Sequence, residues 1–233
     1  MPRKRQIELN EATREEIKAT ARQLMSDKGT AGLSLRAIAR NMDMTAPALY
    51  HYFGSLDDLI TALILDGFNG YADYVRYRRD EAATSGHSIP QQIFVAMKAF
   101  REWAVEHPTD FQLIYGNPIP GYVAPAEITT PAAARMGAVF MEMLIPGLDA
   151  GEIKIPEPQR IIPATVQAHY ADKYSIEGEM GEIFHMMNQM WGMMYGLVAL
   201  EVYNHTTPVV GDTAAFYEQA VRSHLQLMGI KLD

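Results

Sequence analysis

The residues with the clearest chemical potential stand close together near the start of the chain. Thr45, Ala46 and Ala48 offer one hydroxyl and two methyl groups, and Tyr50 and His51 follow directly. Small side chains let a helix approach base edges, where a hydroxyl can hydrogen-bond and a methyl can contact thymine. A phenol and an imidazole are suited to phosphate oxygens. The pattern predicts a segment that reads the major groove of duplex DNA.

Two helix starts would hold this segment in place. Ser34 and Thr45 each precede a stretch that favours helix, where a hydroxyl can accept a hydrogen bond from a backbone N–H. Pro47 falls in the first turn after Thr45, where its missing N–H costs little. Gly54 is expected to end that short helix. With a turn at residues 43–44, the pattern predicts a helix-turn-helix.

The rest of the chain also repeats apolar residues at helical spacing, so an all-α fold is expected. Further helices are predicted over residues 12–28, 55–79, 90–105, 110–115, 131–144, 179–204 and 213–228. Residues 116–125 hold five prolines and glycines and should form a loop. Pro146 and Gly147 are expected to break the helix that precedes them, and residues 153–158 allow a short extended piece.

The charge of the chain is unevenly divided. The net charge is −8, yet residues 1–54 hold nine basic and six acidic residues. A basic end on an acidic protein favours contact of that end with a polyanion, although a merely solvated end is the alternative. Cysteine is absent, which excludes disulfides and thiolate metal sites. Neither a signal peptide nor a membrane span is recognisable, so a cytoplasmic protein is expected.

Two further groups flank the candidate reading segment. Tyr52 and Phe53 are expected to be core residues, because large aromatic side chains on helices usually bury. Arg3, Lys4 and Arg5 could form a disordered arm that enters the minor groove or screens the DNA backbone. The alternative for this arm is simple solvation, which is common at charged termini.

Within residues 12–63, a spaced set of small and apolar residues accompanies the candidate reading segment. The set consists of Ala21, Leu24, Gly29, Leu35, Ile38, Ala39, the run from Ala46 to Phe53, and Leu59. With these positions, residues 12–63 resemble the TetR family of bacterial transcription regulators. The resemblance implies a three-helix DNA-binding domain over residues 1–54 and a larger helical effector-binding and dimerisation domain over residues 55–233. It also implies which side chains contact phosphates. These are Ser34, Thr45, Tyr50 and His51.

One position departs from the family pattern. The family usually has a lysine at the start of the fourth helix, where this chain has Leu56 followed by two acidic residues. A positive phosphate anchor is therefore missing. The backbone N–H groups of that helix start could still face a phosphate.

Aromatic and methionine side chains in the larger domain are candidates for an effector pocket, because such residues make adaptable apolar cavities. They are Phe94, Met97, Phe100, Trp103, Tyr115, Met136, Phe140, Met187, Met190, Trp191 and Met194. Tyr115, His169, His185 and Trp191 could add polar tips that orient a ligand. Ordinary core packing is the alternative for each residue.

A dimer surface is expected on the last two helices. Gly192 and Gly196 form a GxxxG pattern that permits close helix approach. Neighbouring apolar positions are Met193, Leu197, Leu200, Phe216, Ala220 and Leu225. The alternative is that the glycines pack inside one subunit.

These expectations combine into a homodimeric, ligand-responsive transcriptional regulator without a cofactor or enzymatic activity. A repressor that leaves a palindromic DNA operator when a small, largely apolar effector binds is favoured over an activator. A second hypothesis is an interaction module of the same fold that has lost DNA binding, as Leu56 suggests.

A metal oxidase built on a helical bundle is the enzyme alternative. Glu182 precedes His185 by three residues, which is half of a di-iron carboxylate pattern, but no second Glu-x-x-His is present. Glu201 and His205 are four residues apart and are interpreted as a surface pair.

Overall fold

The structure is a computed structural model that describes residues 2–232, with side chains described for residues 9–30 and 32–232. The expected all-α class is confirmed. The helices are α1 (Pro2–Lys28), α2 (Leu35–Asn41), α3 (Ala46–Tyr50), α4 (Leu56–Thr84), α5 (Ile89–Glu106), α6 (Pro108–Tyr115), α7 (Ala126–Asp149), α8 (Ala164–Tyr174), α9 (Gly178–Val202), α10 (Thr207–Val210) and α11 (Thr213–Leu227). Short 3₁₀ turns occupy Thr30–Gly32 and Glu157–Arg160.

The chain divides into two compact units. The N-terminal unit contains the residues up to Asn69 together with His107–Ala133, and the C-terminal unit contains Gly70–Glu106 and the residues from Ala134 onward. Helices α4 and α7 contribute residues to both units. The boundary at residue 54 concerns where the DNA-binding function ends, and it stays a prediction.

The N-terminal unit is built on one apolar core. Its buried side chains include Ile17, Ala21 and Leu24 of α1, Leu35, Ile38 and Ala39 of α2, Leu49 of α3, Phe53, and Leu59 and Leu63 of α4. These are the positions at which helical spacing predicts a buried face. Tyr52 is partly buried against the same core, and Leu113 of α6 completes it. The core therefore fixes α3 through a single inward side chain.

The C-terminal unit is a helical bundle with a methionine-rich core. Its buried side chains include Ile93, Met97 and Phe100 of α5, Met186, Met190 and Met194 of α9, and Tyr217, Val221 and Leu225 of α11. The Tyr217 hydroxyl donates to the Met97 carbonyl at 2.8 Å, which satisfies a buried polar group between α11 and α5. Among the described residues, no helix combines the length and the apolar character needed to cross a membrane.

Two helix boundaries differ from the sequence prediction. Helix α1 begins at Pro2, so the backbone of Arg3, Lys4 and Arg5 is helical and not the expected disordered arm. The side chains of these three residues lie outside the described part of the chain.

Helix α7 also runs past the predicted stop at Pro146 and continues to Asp149. Pro146 cannot donate to the carbonyl four residues earlier, so the helix continues past it without that hydrogen bond, and the Ala150 amide donates to the Pro146 carbonyl at 2.9 Å. Gly147 permits close packing, because a Cβ at this position would lie 2.6 Å from Ile153 Cδ1. In the predicted extended piece, Ile153 makes an isolated antiparallel bridge with Ile230.

Candidate nucleic-acid interface

Three hydroxyl caps fix the helix starts around the candidate reading segment. Ser34 Oγ accepts from the Ala37 amide at 3.1 Å, and Thr45 Oγ1 accepts from the Ala48 amide at 3.4 Å. A third cap joins Ser55 Oγ to the Asp58 amide at 3.0 Å, where α4 begins. The caps predicted at Ser34 and Thr45 are confirmed. Each hydroxyl uses a lone pair for the cap, so its proton is still free to donate to an anion.

A tight turn separates α2 from α3. Asp43 has a φ of 51°, a left-handed conformation that aspartate tolerates better than bulky residues do. The Met44 amide donates to the Ala39 carbonyl at 2.9 Å and closes the turn onto α2. The predicted turn at residues 43–44 is confirmed, and it sets the direction of α3.

Helix α3 faces solvent on nearly all sides. Leu49 is its one buried residue. Thr45, Ala48, Tyr50 and His51 are exposed, with Tyr50 at 50%, and Ala46 is partly exposed. The segment predicted to read DNA is therefore accessible, and the adjoining Phe53 lies in the core at 2% exposure as expected.

Arg14 ties α1 to the end of this segment. Its guanidinium donates to the Tyr52 carbonyl and lies 4.2 Å from the centroid of the Phe53 ring. A cation over an aromatic face is attracted by the ring quadrupole. Arg14 therefore supports the structure behind α3.

A second group of cations is neutralised inside the N-terminal unit. Arg22 Nε lies 2.8 and 3.1 Å from the two carboxylate oxygens of Asp110, and Asp66 bridges Arg22 at 3.2 Å and Lys18 at 2.6 Å. Burial opposes the charge of Arg22, but hydrogen bonds and attraction from Asp110 and Asp66 raise the pKa of its guanidinium. Part of the excess positive charge of residues 1–54 is therefore neutralised by ion pairs that link α1 to α4 and α6.

Leu56 has a packing role at the position where the family usually has lysine. Its side chain is partly buried against the core of the N-terminal unit. Asp57 and Asp58, the next two residues, are exposed. The start of α4 therefore offers no cationic side chain, as the sequence predicts.

A surface groove lies beside α3 and the starts of α2 and α4. It measures about 400 Å³. Its lining residues are Ser34, Leu35, Arg36, Tyr50, Gly54, Ser55 and Leu56. Ser34 and Tyr50 are predicted to lie at the DNA surface, whereas no such prediction is made for Arg36. The basic character of Arg36 was visible in the sequence, but its place beside Tyr50 depends on the fold.

The candidate effector residues are distributed over both compact units. Tyr115 belongs to the N-terminal unit, where its ring contacts those of Phe68 and Phe111. The other candidates belong to the C-terminal unit. Those buried there are Met97, Phe100, Trp103, Met136, Phe140, Met190 and Met194; Phe94, His185, Met187 and Trp191 are partly buried, and His169 is exposed. Their role in ligand binding stays a prediction.

Two of these candidates have polar surroundings that the sequence did not reveal. The Phe94 ring lies 4.3 Å from the Arg222 guanidinium carbon and 5.6 Å from Lys98 Nζ. His185 Nδ1 lies 3.2 Å from the Tyr170 hydroxyl, which comes from α8. Helix α8 buries none of its residues, so its sequence lacks the regular apolar spacing that would predict a helix.

The carboxylates considered for metal binding have other partners. Glu182 lies 3.5 Å from Arg160. Glu201 is bound by Arg101 at 2.5 and 2.7 Å, so its interpretation as a surface pair with His205 is wrong. Within the described part of the chain, no group of three histidine, aspartate or glutamate side chains is placed to hold a metal ion.

The residues predicted for the dimer surface fall into two groups. A Cβ added at Gly192 or Gly196 would meet no atom within 4 Å, so neither glycine is packed inside its own subunit. Leu200 and Phe216 are exposed, and Met193, Leu197 and Ala220 are partly exposed. Leu225 is fully buried in the core of its own unit, which corrects its assignment to the dimer surface.

Comparisons with known proteins agree with this architecture. Residues 17–63 match the family of bacterial regulatory proteins of the tetR family, and residues 93–224 match the tetracyclin repressor-like C-terminal domain. The HTH-type transcriptional regulators Rv1816 of Mycobacterium tuberculosis and Mb1846 of Mycobacterium bovis are each 33% identical over 196 residues, covering 82% of this chain and of the relative.

Solved structures show the same fold. A protein described as a regulatory protein, SCO4313, superposes with a TM-score of 0.73 at 29% identity and covers 94% of this chain and 98% of its own. A tetR-family regulatory protein from Rhodococcus RHA1 superposes with a TM-score of 0.66 at 15% identity, covering 94% and 98%. The chain belongs to the TetR family of transcriptional regulators, with a helix-turn-helix DNA-binding domain.

Proposed function

We propose that two copies of this chain bind a palindromic operator as a repressor and leave it when a small, largely apolar effector binds. The observation that carries this proposal is the exposure pattern of α3. Leu49 alone is buried, while Thr45, Ala48 and Tyr50 face outward from a capped helix start. A helix held in this way can enter the major groove without unfolding any part of its own core.

The residues of α3 and its two caps suit two tasks, which are contact with base edges and contact with backbone phosphates. Ala46 and Ala48 present methyl groups to thymine, and the Thr45 hydroxyl bonds a base edge or a phosphate. Tyr50 and His51 bond backbone phosphates and fix the register of the helix. Ser34 adds a hydroxyl from the start of α2. The basic residues at positions 3–5 would strengthen contact with the DNA backbone.

Dimer formation would double a reading surface that covers only a few base pairs. A symmetric dimer places its half-sites about 34–36 Å apart, or at multiples of that spacing. Gly192 and Gly196 support an interface on α9, because both stand where a second helix could approach closely. Exposed Leu200 and Phe216 supply apolar surface for the same interface.

Effector control would act through the separation of the two reading helices. Met187, Met190 and Trp191 are part of a flexible, apolar set of side chains suited to an adaptable ligand cavity. An effector that prefers a different arrangement of the dimer lowers operator affinity by linkage. Residues 59–68 of α4 follow directly from the DNA-binding segment and form the connecting lever in this proposal.

A footprint on the DNA upstream of the chain's own gene tests the proposal. We expect a protected site with two-fold symmetry that disappears when a suitable apolar effector is added. Protection without symmetry would contradict the dimer. No salt-dependent protection at all would favour an interaction module that has lost DNA binding.

A further inference from the structure

We propose that helix α8 is a lid on α9, which opens independently of the rest of the bundle and admits the effector to the side chains beneath it. The role in effector entry rests on the proposed function. The opening itself is a property of the C-terminal unit, to which both helices belong.

Helix α8 lacks the core contacts that hold the other helices. It buries none of its 11 residues, whereas the other helices of eight or more residues each bury at least one. Its most enclosed side chains, Val166, Tyr170 and Ala171, are only partly buried. A helix of this length is marginal in water without tertiary packing. It therefore depends on its contacts with α9 and should open at a lower free energy than the helices of the core.

A small latch joins α8 to α9. The Tyr170 hydroxyl lies 3.2 Å from His185 Nδ1, and Gln189 Nε2 lies 3.0 Å from His185 Nε2. An amide nitrogen only donates, so the neutral imidazole carries its proton on Nδ1 and donates it to Tyr170. The Phe184 ring meets the rings of Tyr170 and Tyr174 at centroid distances of 5.0 and 5.4 Å. One side-chain hydrogen bond and two ring contacts can be released without disturbing the core.

The turn between the two helices suits a hinge. Ser175 ends α8 in the left-handed conformation, with a φ of 55°, and the Ile176 amide donates to the Tyr170 carbonyl at 3.2 Å. Serine is less favourable than glycine in this conformation, so the end of α8 is weakly held. Gly178 follows with a φ of 57°, and a Cβ there would meet no atom within 4 Å. Small residues in such a turn can absorb a change of backbone direction while α9 stays in place.

Opening of α8 would uncover a stripe of rings and thioethers on α9. Met187 and Trp191 follow Phe184 by three and seven residues, which places all three on one face of the helix. All three side chains are partly buried, and the Trp191 ring lies 5.5 Å from that of Phe100. Ring faces and a polarizable sulfur favour a flat aromatic molecule as the effector that enters here.

Amide hydrogen exchange of the full chain tests the opening. We expect the amides of α8 to exchange about 100-fold faster than those of residues 186–198 in α9. Tyr170→Phe should accelerate exchange in α8 about fivefold, because one hydrogen bond of the latch is lost, and leave α9 unchanged. Tyr77→Phe is the matched control. It removes the same hydroxyl from a side chain on α4 that is 62% exposed, and it should change neither helix.

Stopped-flow binding of the dye 8-anilinonaphthalene-1-sulfonate, an aromatic probe, tests the role in entry. If α8 controls access, the observed rate levels off at high dye concentration, because opening then limits binding. Tyr170→Phe should raise this plateau about fivefold, whereas Tyr77→Phe should leave it unchanged.

Three results would overturn the inference. These are equal exchange rates in α8 and α9, an equal acceleration of both helices by Tyr170→Phe, or a dye-binding rate that rises linearly with concentration in the wild type. Neither experiment contains DNA. Failure of the proposed function would instead appear as a lack of duplex binding by a wild-type chain whose α8 still opens first.

Discussion

Helices α3 and α9 both carry few charges, yet they present their side chains in opposite ways. Helix α3 has five residues and buries only Leu49. Helix α9 has 25 residues and buries a stripe that includes Met186, Met190, Met194 and Val198, spaced four residues apart. Lack of charge therefore marks two different surfaces, one left open for a partner and one closed by the protein's own core.

Length and capping explain the difference. A five-residue helix is unstable in isolation, so α3 depends on the Thr45 cap and on the anchoring of Leu49. Helix α9 is long enough to be stabilised by packing along one face. Its opposite face, with Gly192 and Leu200, remains open. In the proposed function, the exposed residues of α3 face DNA and those of α9 face a second subunit.

The largest effect is expected at the anchor of α3. Leu49→Ala should lower the free energy of unfolding by about 3 kcal/mol, because Leu49 is fully buried and its loss leaves a cavity. Chemical denaturation measures this loss, and Val209→Ala is the control because Val209 is 82% exposed. An unchanged midpoint for Leu49→Ala would show that α3 is held in some other way.

The open face of α9 gives the next test. Gly192→Leu combined with Gly196→Leu should weaken the dimer about 100-fold, because overpacking a close helix contact costs about 1–3 kcal/mol. Sedimentation velocity measures the dissociation constant. The helix content should be retained, since a Cβ at either position meets no atom of its own subunit.

Leu225→Ala is the control for the double glycine variant. Leu225 is buried within the subunit, so its loss should reduce stability without a specific effect on subunit association. An unaltered dissociation constant in the double glycine variant would place the dimer surface elsewhere.

The polar end of the α3 segment should show a smaller effect. Tyr50→Phe together with His51→Ala should weaken DNA binding about tenfold on all sequences, because two hydrogen bonds to phosphates are lost at about 0.5–1.5 kcal/mol each. Fluorescence anisotropy on operator and unrelated duplexes measures this change. Equal affinity of variant and wild type would remove both residues from the phosphate contacts.

The smallest effect is expected at His224 in the C-terminal unit, which is partly buried whereas His51 is exposed. Burial lowers the pKa of the His224 imidazole, and its Nε2 has no hydrogen-bond partner within the described residues. The unfolded chain then binds a proton more readily than the folded chain below about pH 6.5. Stability should therefore be retained above that pH and decrease as the pH falls below it.

Thermal melts between pH 7.5 and pH 5 measure this dependence. His224→Gln should show a shallower decrease than the wild type, since glutamine does not titrate. Parallel curves for the two proteins would mean that other groups cause the whole pH dependence.

Sequence rules were sufficient where the structure depends on neighbours in the chain. The caps at Ser34, Thr45 and Ser55 follow from local hydrogen bonding, and the buried faces of α1 and α2 follow from helical spacing. These features also shape the surface that we propose reads DNA. That surface was therefore largely predictable.

Sequence rules failed where a distant partner decides the outcome. The sequence predicts a helix end at Gly147, but in the structure this glycine lies inside α7 and packs closely against Ile153. The sequence also predicts that Glu201 is a surface residue, but its carboxylate is bound by Arg101. The spacing of Leu225 is compatible both with a helix face that meets a second subunit and with a helix face that packs in the core, because both faces need the same apolar spacing. Only tertiary packing separates these alternatives.

The central claim is that paired copies of this chain hold duplex DNA through α3. Sedimentation velocity of the protein with a duplex from upstream of its own gene tests this most directly, when it is carried out at two salt concentrations. We predict two chains, or a multiple of two, on each palindromic site, with affinity that falls steeply as salt increases. A single bound chain, or no salt-dependent complex with any duplex, would contradict the claim.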